Sequence, residues 1–315
     1  MKVFEYYKFI LTMVQTLSIP LDVPESKREL YKQNYLKMTH DTDRLMLFAG
    51  DQKAEHLNDD YYGKGISTDD STPEHLFRIA SEAKIGVFAT QLGLIARYGT
   101  TYGTVPYLIK MNSKTNIIPK GAQDPLSSSW YSMNDIAAFV DSSKLNICAV
   151  GYTIYMGSAF EEQMLREAAH IIFHAHRNGL VAVLWVYPRG KHIVDEYDGH
   201  LIAGAAGLAS TLGADFVKVN PPKPKGSTSA EALREAVKAA GRTRLVCAGG
   251  SSTNVEVFLR DLYDQLHIGG TSGNATGRNI HQKDLKQAIS FCNAIYALTV
   301  DNKPLDAALE LYRKE

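Results

Sequence analysis

From about residue 44 the chain alternates short apolar runs with amphipathic stretches of helical periodicity. Strands separated by helices pair in parallel through right-handed crossovers, and runs this apolar need cover on both faces. The simplest arrangement is a closed eight-stranded (β/α)8 barrel, with an open doubly wound sheet as the alternative. No early glycine-rich dinucleotide fingerprint supports the open sheet. The predicted strands are Leu45 to Gly50, Ile85 to Thr90, Tyr107 to Met111, Ile147 to Thr153, Val181 to Val186, Phe216 to Val219, Leu245 to Ala248 and Leu266 to Ile268.

The helical stretches begin near Ser, Thr or Asp and several end near glycine, as capped helices do. They include Thr72 to Ala83, Ser158 to His176, Leu201 to Leu212, Ser229 to Ala240, Asn254 to Gln265 and Gln282 to Leu298. Residues 1–40 are predicted to form an N-terminal helical extension, and residues 41–315 a (β/α)8 barrel catalytic domain. The polar, Pro- and Gly-bearing stretch from Asn112 to Tyr131 is expected to be a loop above the barrel.

Composition excludes several classes of function. Basic and acidic residues are equal in number, 34 each, so no net field favours nucleic acid or an anionic membrane. The three cysteines are far apart and lack metal-ligand spacing, which is typical of a reducing compartment. No run approaches the length of a membrane span, and the apolar stretch Phe9 to Val14 lacks a cleavage site. A cytoplasmic protein that binds neither nucleic acid nor membrane is expected.

Lys218 lies within a short apolar run, Ala214 to Val219, which predicts a buried strand. A buried ammonium group is costly unless it is paired or discharged, and desolvation lowers the pKa of lysine. A neutral amine near pH 7 can attack a carbonyl group and form a Schiff base. The alternative is a lysine at a strand end that reaches solvent or pairs with an acid.

Polar and aromatic side chains follow several other predicted strands. Asp51 ends the first strand, Lys110 lies in the third, and Trp185 and Tyr187 share one face of the fifth. Taken singly, Asp51 could cap a helix, the aromatic rings could fill the core, and Lys110 could pair with an acid. Because the carboxyl ends of parallel strands meet at one barrel mouth, an acid, a phenol and a lysine are expected to converge there.

The last two predicted strands are each followed by a glycine-rich segment. Val246 to Ser252 leads from a strand into a helix, and Gly269 to Asn279 is placed after the eighth strand. Backbone N–H groups at glycines and at helix N-termini bind phosphate, and an arginine adds a forked cation. Ordinary turns are the alternative. The candidate phosphate-binding residues are Gly249, Gly250, Ser251, Gly277 and Arg278.

The sequence offers no convincing metal site. His170 and His174 are four residues apart on one helical stretch, with His176 nearby, but no acid–histidine signature accompanies them. These histidines are interpreted as helix-face residues. No P-loop is present.

Together these residues resemble the archaeal-type class I fructose-1,6-bisphosphate aldolases, from about residue 45 to 298. The extension at the N-terminus and the loop from Asn112 to Tyr131 depart from the family pattern. The most specific shared segments are Asp51-Gln52-Lys53-x-Glu55-His56, Tyr152-Thr153-Ile154-Tyr155-x-Gly157-Ser158 and Ala214-Asp215-Phe216-Val217-Lys218.

The resemblance implies reversible cleavage of fructose 1,6-bisphosphate to dihydroxyacetone phosphate and glyceraldehyde 3-phosphate, as in glycolysis and gluconeogenesis. It implies a Schiff base on Lys218, no metal or other cofactor, and a homo-oligomer such as a decamer. Tyr187 would transfer protons, Asp51 would hold or deprotonate a substrate hydroxyl, and Trp185 would form a pocket wall. Lys110 and Lys53 are secondary candidates for binding the second phosphate.

Two other interpretations remain open on the sequence. A related Schiff-base barrel, such as a transaldolase-like heptulosonate synthase or a deoxyribose-phosphate aldolase, would share Lys218 and differ in the surrounding pocket. A non-catalytic sugar-phosphate-binding barrel would keep the glycine loops without needing Tyr187 or Lys218.

Overall fold

A closed barrel of parallel strands forms the centre of the computed structural model, which describes residues 17–118, 121–250 and 254–313. Within these residues eight strands pair in sequence order, and the last pairs with the first. The predicted (β/α)8 barrel is therefore confirmed over the open sheet. The strands are β1 (Leu45–Ala49), β2 (Val87–Gln91), β3 (Tyr107–Lys110), β4 (Ile147–Met156), β5 (Val181–Pro188), β6 (Phe216–Val219), β7 (Arg244–Ala248) and β8 (Gly273–Thr276).

Helices surround the barrel and follow its strands. Several begin at side chains that accept a backbone N–H, including the capping boxes of Ser132 with Asp135 and Thr228 with Glu231. The helices of the described residues are α1 (Glu25–Thr39), α2 (Gln52–Glu55), α3 (Glu74–Glu82), α4 (Leu92–Tyr98), α5 (Met133–Ser143), α6 (Glu161–Arg177), α7 (Gly199–Leu212), α8 (Ser229–Ala240), α9 (Val255–His267), α10 (Arg278–His281), α11 (Leu285–Thr299) and α12 (Leu305–Arg313), with a 3-10 turn at Thr68–Ser71.

Helix α1 packs against the inner residues of the barrel. Tyr31, Tyr35 and Met38 belong to the same buried cluster as inward residues of the strands, and the ring of Tyr35 stacks on Phe216 at 5.4 Å. Phe216 is two residues before Lys218, so α1 covers the end of the barrel opposite the carboxyl end of β6. The expected N-terminal helix is thus present before β1, whereas residues 1–16 of the predicted extension lie outside the described residues.

The predicted eighth strand, Leu266 to Ile268, is wrong. Leu266 and His267 end α9 and Ile268 is its C-cap, while β8 is Gly273–Thr276. Gly-Asn-Ala-Thr has no apolar signature, and its polar groups are satisfied internally because Asn274 donates to Thr299 Oγ1 at 3.0 Å. Gly273 has φ +135°, and a side chain there would collide with the backbone of Leu45. Residues 269–272 therefore precede β8, and only Gly277 to Asn279 follow it.

None of the helices in the described ranges combines the length and hydropathy needed to cross a bilayer.

Candidate active site

Lys218 projects into the barrel near the carboxyl end of β6. It pairs in register with Trp185 on β5, which pairs with Thr153 on β4. The side chain is only 5 % exposed. Burial, reinforced by the positive charge of Arg278, lowers the pKa of Lys218 although Asp51 and Glu55 act to raise it. The position therefore favours an uncharged amine more than a surface lysine does.

The indole of Trp185 forms a wall beside two lysines. Its centroid lies 5.4 Å from Lys218 Nζ and 5.0 Å from Lys110 Nζ. Gly151 on β4 makes room for the ring, since a Cβ at that position would lie 2.5 Å from Trp185 Cζ3. Trp185 is 2 % exposed, so it excludes water from the two amines.

Lys110 differs from Lys218 in its hydrogen bonds. Its Nζ donates to Thr153 Oγ1 at 2.7 Å, to the Asn112 carbonyl at 3.0 Å and to Asn112 Oδ1 at 3.2 Å. Burial lowers the pKa of Lys110 to about 8, with Asp51 and Glu55 opposing and Lys218 adding to the fall. In the described part of the chain Lys218 Nζ makes no comparable hydrogen bond. Lys218 is therefore the amine whose lone pair can be used.

Asp51 does not act as a helix cap. It occupies the N-cap position of α2 but its carboxylate makes no capping hydrogen bond. Instead Oδ2 lies 3.9 Å from Lys110 Nζ, and Oδ1 is buried without a hydrogen-bond partner among the described residues. Gln91 Nε2 donates to the Asp51 carbonyl at 2.8 Å and fixes the backbone. An acceptor oxygen is thus directed into the barrel mouth.

Tyr187 extends the β5 face two residues beyond Trp185. Burial and the charges of Glu55 and Asp51 raise the pKa of Tyr187 well above its ordinary value, with Arg189 opposing. The guanidinium carbon of Arg189 lies 5.5 Å from the ring centroids of both Tyr187 and Tyr155. The phenol is therefore held protonated and can donate a hydrogen bond.

The glycine-rich segments after β7 and β8 lie against each other. Asn279 Nδ2 donates to the Gly249 carbonyl at 2.9 Å, and a Cβ on Gly249 would contact the side chain of Thr276. Gly250 is exposed, and nothing lies within 4 Å of the place its Cβ would take. Gly277 precedes α10, in which Arg278 pairs with Asp60 at 3.6 Å and is 29 % exposed. Ser251 lies outside the described residues.

The structure places Lys53 away from the two buried lysines. Its Nζ lies 4.0 Å over the ring of Tyr61, without a hydrogen-bond partner in the described chain. Burial lowers the pKa of Lys53, partly offset by Asp70. Lys53 thus belongs to a polar cluster with Tyr61, Asp70 and His281, the last residue of α10.

The histidines of α6 are not equivalent. His170 and His174 lie with ring centroids 4.3 Å apart, whereas His176 is fully buried and contacts Asp22 and Asp215. All three histidines lie on α6, as expected for helix-face residues, and His176 lies on its buried face. Among the residues described, no group of three or more His, Cys, Asp or Glu side chains is arranged as a metal site.

Sequence reasoning assigned no role to three residues that surround the predicted ones. Thr153 and Asn112 hold Lys110, and Arg189 lies beside Tyr187. A signal existed for each, because all lie at the carboxyl ends of β3, β4 and β5, in segments already singled out for other reasons.

Within the described residues, a buried lysine whose Nζ donates no hydrogen bond lies at the mouth of a (β/α)8 barrel, beside an acceptor carboxylate and a protonated phenol. Such an arrangement is typical of lysine-dependent carbonyl enzymes. A family model described as DeoC/LacD family aldolase matches residues 45–283. The chain belongs to this family of aldolases.

Similar proteins support the resemblance to archaeal-type class I aldolases. A Methanocaldococcus jannaschii protein named fructose-bisphosphate aldolase/6-deoxy-5-ketofructose 1-phosphate synthase is 55% identical over 296 residues, which cover 94% of each chain. The structure of a Slackia heliotrinireducens fructose-bisphosphate aldolase has a TM-score of 0.94 and 51% identity, covering 96% of this chain and 95% of the other. An archaeal fructose-1,6-bisphosphate aldolase, described with its catalytic Lys covalently bound to the carbinolamine intermediate, has a TM-score of 0.72 and 30% identity, covering 86% and 99%.

Proposed function

We infer that the protein is a class I aldolase that reversibly cleaves fructose 1,6-bisphosphate through a Schiff base on Lys218. The observation that carries this proposal is the contrast between the two buried lysines. Lys110 is tied to three oxygen atoms, whereas Lys218, with a lowered pKa, is left without such bonds in the described chain. Two similar structures, one described as a Schiff-base-forming aldolase and one with its catalytic Lys covalently bound to the carbinolamine intermediate, support Schiff-base chemistry on Lys218.

In the proposed reaction, Lys218, Asp51 and Tyr187 each act at a particular step. Lys218 Nζ attacks the C2 ketone to give a carbinolamine, and loss of water gives an iminium ion. Asp51 then takes the proton of the C4 hydroxyl while the C3–C4 electron pair moves toward the iminium nitrogen, so that the aldehyde leaves and an enamine remains. Tyr187, kept protonated by its raised pKa, donates a proton to C3 of the enamine. The proton taken up by Asp51 then returns to the phenolate, so that both groups regain their starting forms. Water then hydrolyses the new iminium and releases the ketone phosphate.

Other residues bind and shape the substrate in this proposal. Backbone N–H groups at Gly250 and Gly277, together with Arg278, would hold the phosphate of the ketone half. Gly249 would line the same site, because its own N–H already donates to the Ala275 carbonyl at 3.1 Å. Ser251 belongs to the same proposed set. Trp185 keeps water from the amine, and Lys110 holds Asp51 and the negative charge that develops at the C4 oxygen. The expected homo-oligomer remains a prediction.

The second candidate is formation of 6-deoxy-5-ketofructose 1-phosphate, which the name of the M. jannaschii relative supports. Division of that sugar between C3 and C4 gives dihydroxyacetone phosphate and methylglyoxal. The enamine on Lys218 would be the same, and only the aldehyde that it attacks would differ. The pairing of Arg189 with Glu55 and Glu196 favours this candidate, since a second phosphate would have to compete with two carboxylates.

Borohydride trapping tests the common chemistry. The protein is reduced in the presence of dihydroxyacetone phosphate, and the modified peptide is mapped by mass spectrometry. We expect modification of Lys218 in the wild type, none at this site in Lys218→Met, and unchanged trapping after treatment with EDTA. A label on Lys110, or a requirement for added metal, would overturn the proposal. Cleavage of fructose 1,6-bisphosphate and condensation with methylglyoxal, each as kcat/KM, then separate the two candidates.

A further inference from the structure

The barrel order determines where the two halves of a substrate lie. Lys218 is on β6, between β7 on one side and β5 on the other. The glycine-rich segments follow β7 and β8, so the proposed function puts the phosphate of the ketone half on that side. A chain bonded through its second carbon to Lys218 therefore extends the rest of its carbons towards the carboxyl ends of β5 and β4.

A cavity of about 590 Å³ opens on that side. It lies between the loop that follows β3 and the residues that follow β5, and its lining includes Lys114, Asp124, Arg189, Ile193 and Glu196. Arg189 connects the cavity to the active site because it also contacts the rings of Tyr155 and Tyr187. The lining mixes charged and aliphatic side chains, which suits a short polar molecule.

Arg189 is held between two carboxylates. Its Nε donates to Glu196 Oε2 at 3.0 Å, and its Nη1 lies 3.8 Å from Glu55 Oε1. All three side chains are largely buried, with 20–24 % of each exposed. Ion pairs this shielded from solvent are screened less than surface pairs, so the positive charge of Arg189 is largely neutralised. Lys114 adds a cation nearby, but its Nζ donates to Asn116 Oδ1 at 2.9 Å.

We propose that Arg189 recognises the aldehyde half of the substrate, and that Glu196 sets whether this half carries a phosphate. An arginine fork suits phosphate oxygens, so a free Arg189 would favour a phosphorylated aldehyde. Glu196 occupies part of that fork and repels a phosphate dianion, which brings the affinity for phosphorylated and unphosphorylated aldehydes closer together. The relation between Glu196 and Arg189 is thus the selectivity element of the acceptor site. This inference rests on the proposed aldolase function.

Competing acceptors provide the test. Condensation with dihydroxyacetone phosphate is measured as kcat/KM for glyceraldehyde 3-phosphate and for methylglyoxal, and their ratio is compared among variants. Glu196→Gln should raise the preference for the phosphorylated aldehyde about tenfold, because one charged competitor is removed. Arg189→Gln should lower the preference roughly ten- to a hundredfold, the value of a charged hydrogen bond. The opposite directions distinguish recognition from a general loss of structure.

Glu82→Gln is the matched control, since Glu82 pairs with Arg78 at 3.8 Å on α3, about half exposed. Its ratio should equal that of the wild type. A ratio within threefold of the wild-type value in either Glu196→Gln or Arg189→Gln overturns the inference. Borohydride trapping of dihydroxyacetone phosphate on Lys218 needs no aldehyde. Failure of wild-type trapping therefore contradicts the aldolase proposal, whereas normal trapping with unchanged ratios contradicts only the role of Arg189 and Glu196.

Discussion

Lys110 and Lys218 share the indole of Trp185, with their Nζ atoms 5.0 and 5.4 Å from its centroid. The positive charge of Lys218 contributes to the lowered pKa of Lys110, so the two buried ammonium groups disfavour each other's charge. The oxygen atoms around Lys110 stabilise its charged form, so the loss of a proton is directed to Lys218. We therefore expect Lys110 to remain charged and Lys218 to be the neutral amine that attacks the substrate.

We expect Lys110→Met to raise the pH at which Lys218 is half-maximally trapped by borohydride and dihydroxyacetone phosphate. The substitution removes a nearby positive charge, which otherwise disfavours protonation of Lys218, and it frees Asp51 to favour the protonated form. Lys110→Arg keeps the positive charge and should leave the midpoint close to that of the wild type. The measurement is the rate of covalent labelling from pH 6 to 10. An identical midpoint in Lys110→Met would contradict the electrostatic coupling.

Tyr187→Phe should lower kcat roughly a hundred- to ten-thousand-fold with little change in KM, because the ring still packs while the proton donor is lost. The raised pKa of Tyr187 keeps the phenol protonated throughout the neutral range. Steady-state cleavage of fructose 1,6-bisphosphate provides the measurement. Tyr62→Phe, at a tyrosine that is 67 % exposed, is the control and should behave as the wild type. A raised KM with a normal kcat would instead show that Tyr187 positions the substrate.

Arg278→Ala should mainly raise KM, because a contact with a phosphate acts in the ground state and the transition state alike. A charged hydrogen bond is worth about 1.5 to 3 kcal/mol, or roughly ten- to a hundredfold in affinity. The same substitution should reduce the preference for dihydroxyacetone phosphate over dihydroxyacetone. Arg166→Ala is the control, since Arg166 is 77 % exposed on α6. If Arg278→Ala leaves that preference intact, the phosphate binds elsewhere.

The barrel could be predicted wherever a strand carries its own signature. Seven strands have apolar runs, and their inward residues follow from a period of two, which is why Lys218, Trp185 and Tyr187 could be placed together. Strand β8 could not be predicted because Gly-Asn-Ala-Thr is small and polar, and its burial depends on a hydrogen bond from Asn274 to the distant Thr299. A sequence window contains no trace of such a partner.

The site residues also separate into those that the sequence could predict and those that it could not. Residues at strand ends could be predicted because the fold brings those ends together. Lys53 is two residues from Asp51, yet α2 turns its side chain towards Tyr61. The contacts of Arg189 with Glu55 and Glu196 depend on the packing of irregular segments, which have no periodic pattern to read. Proximity in sequence was therefore a poorer guide than position at the end of a strand.

His176 connects the segment before α1 to the barrel, and its protonation should stabilise the fold. Its Nδ1 lies 2.8 Å from Asp22 Oδ2 and its Nε2 lies 3.1 Å from Asp215 Oδ2, while Tyr31 donates to the other Asp215 oxygen. Burial acts to lower the pKa of His176, but the hydrogen bonds and charges of Asp215 and Asp22 outweigh it and raise the pKa to about 9.

Because the folded state holds this proton more tightly than the unfolded chain, the stabilisation is fully present below about pH 6.5, the ordinary pKa of histidine. It should be lost as the pH rises through about 9. The free energy of unfolding is measured with urea from pH 6 to 10 for the wild type and for His176→Gln. The wild type should be the more stable, and the difference between the two should fall by on the order of 3 kcal/mol as the pH rises over this range. His200→Gln is the control, because His200 is 87 % exposed where it pairs with Glu235. A difference between wild type and His176→Gln that stays constant with pH would show that His176 stabilises the fold by packing rather than by its charge.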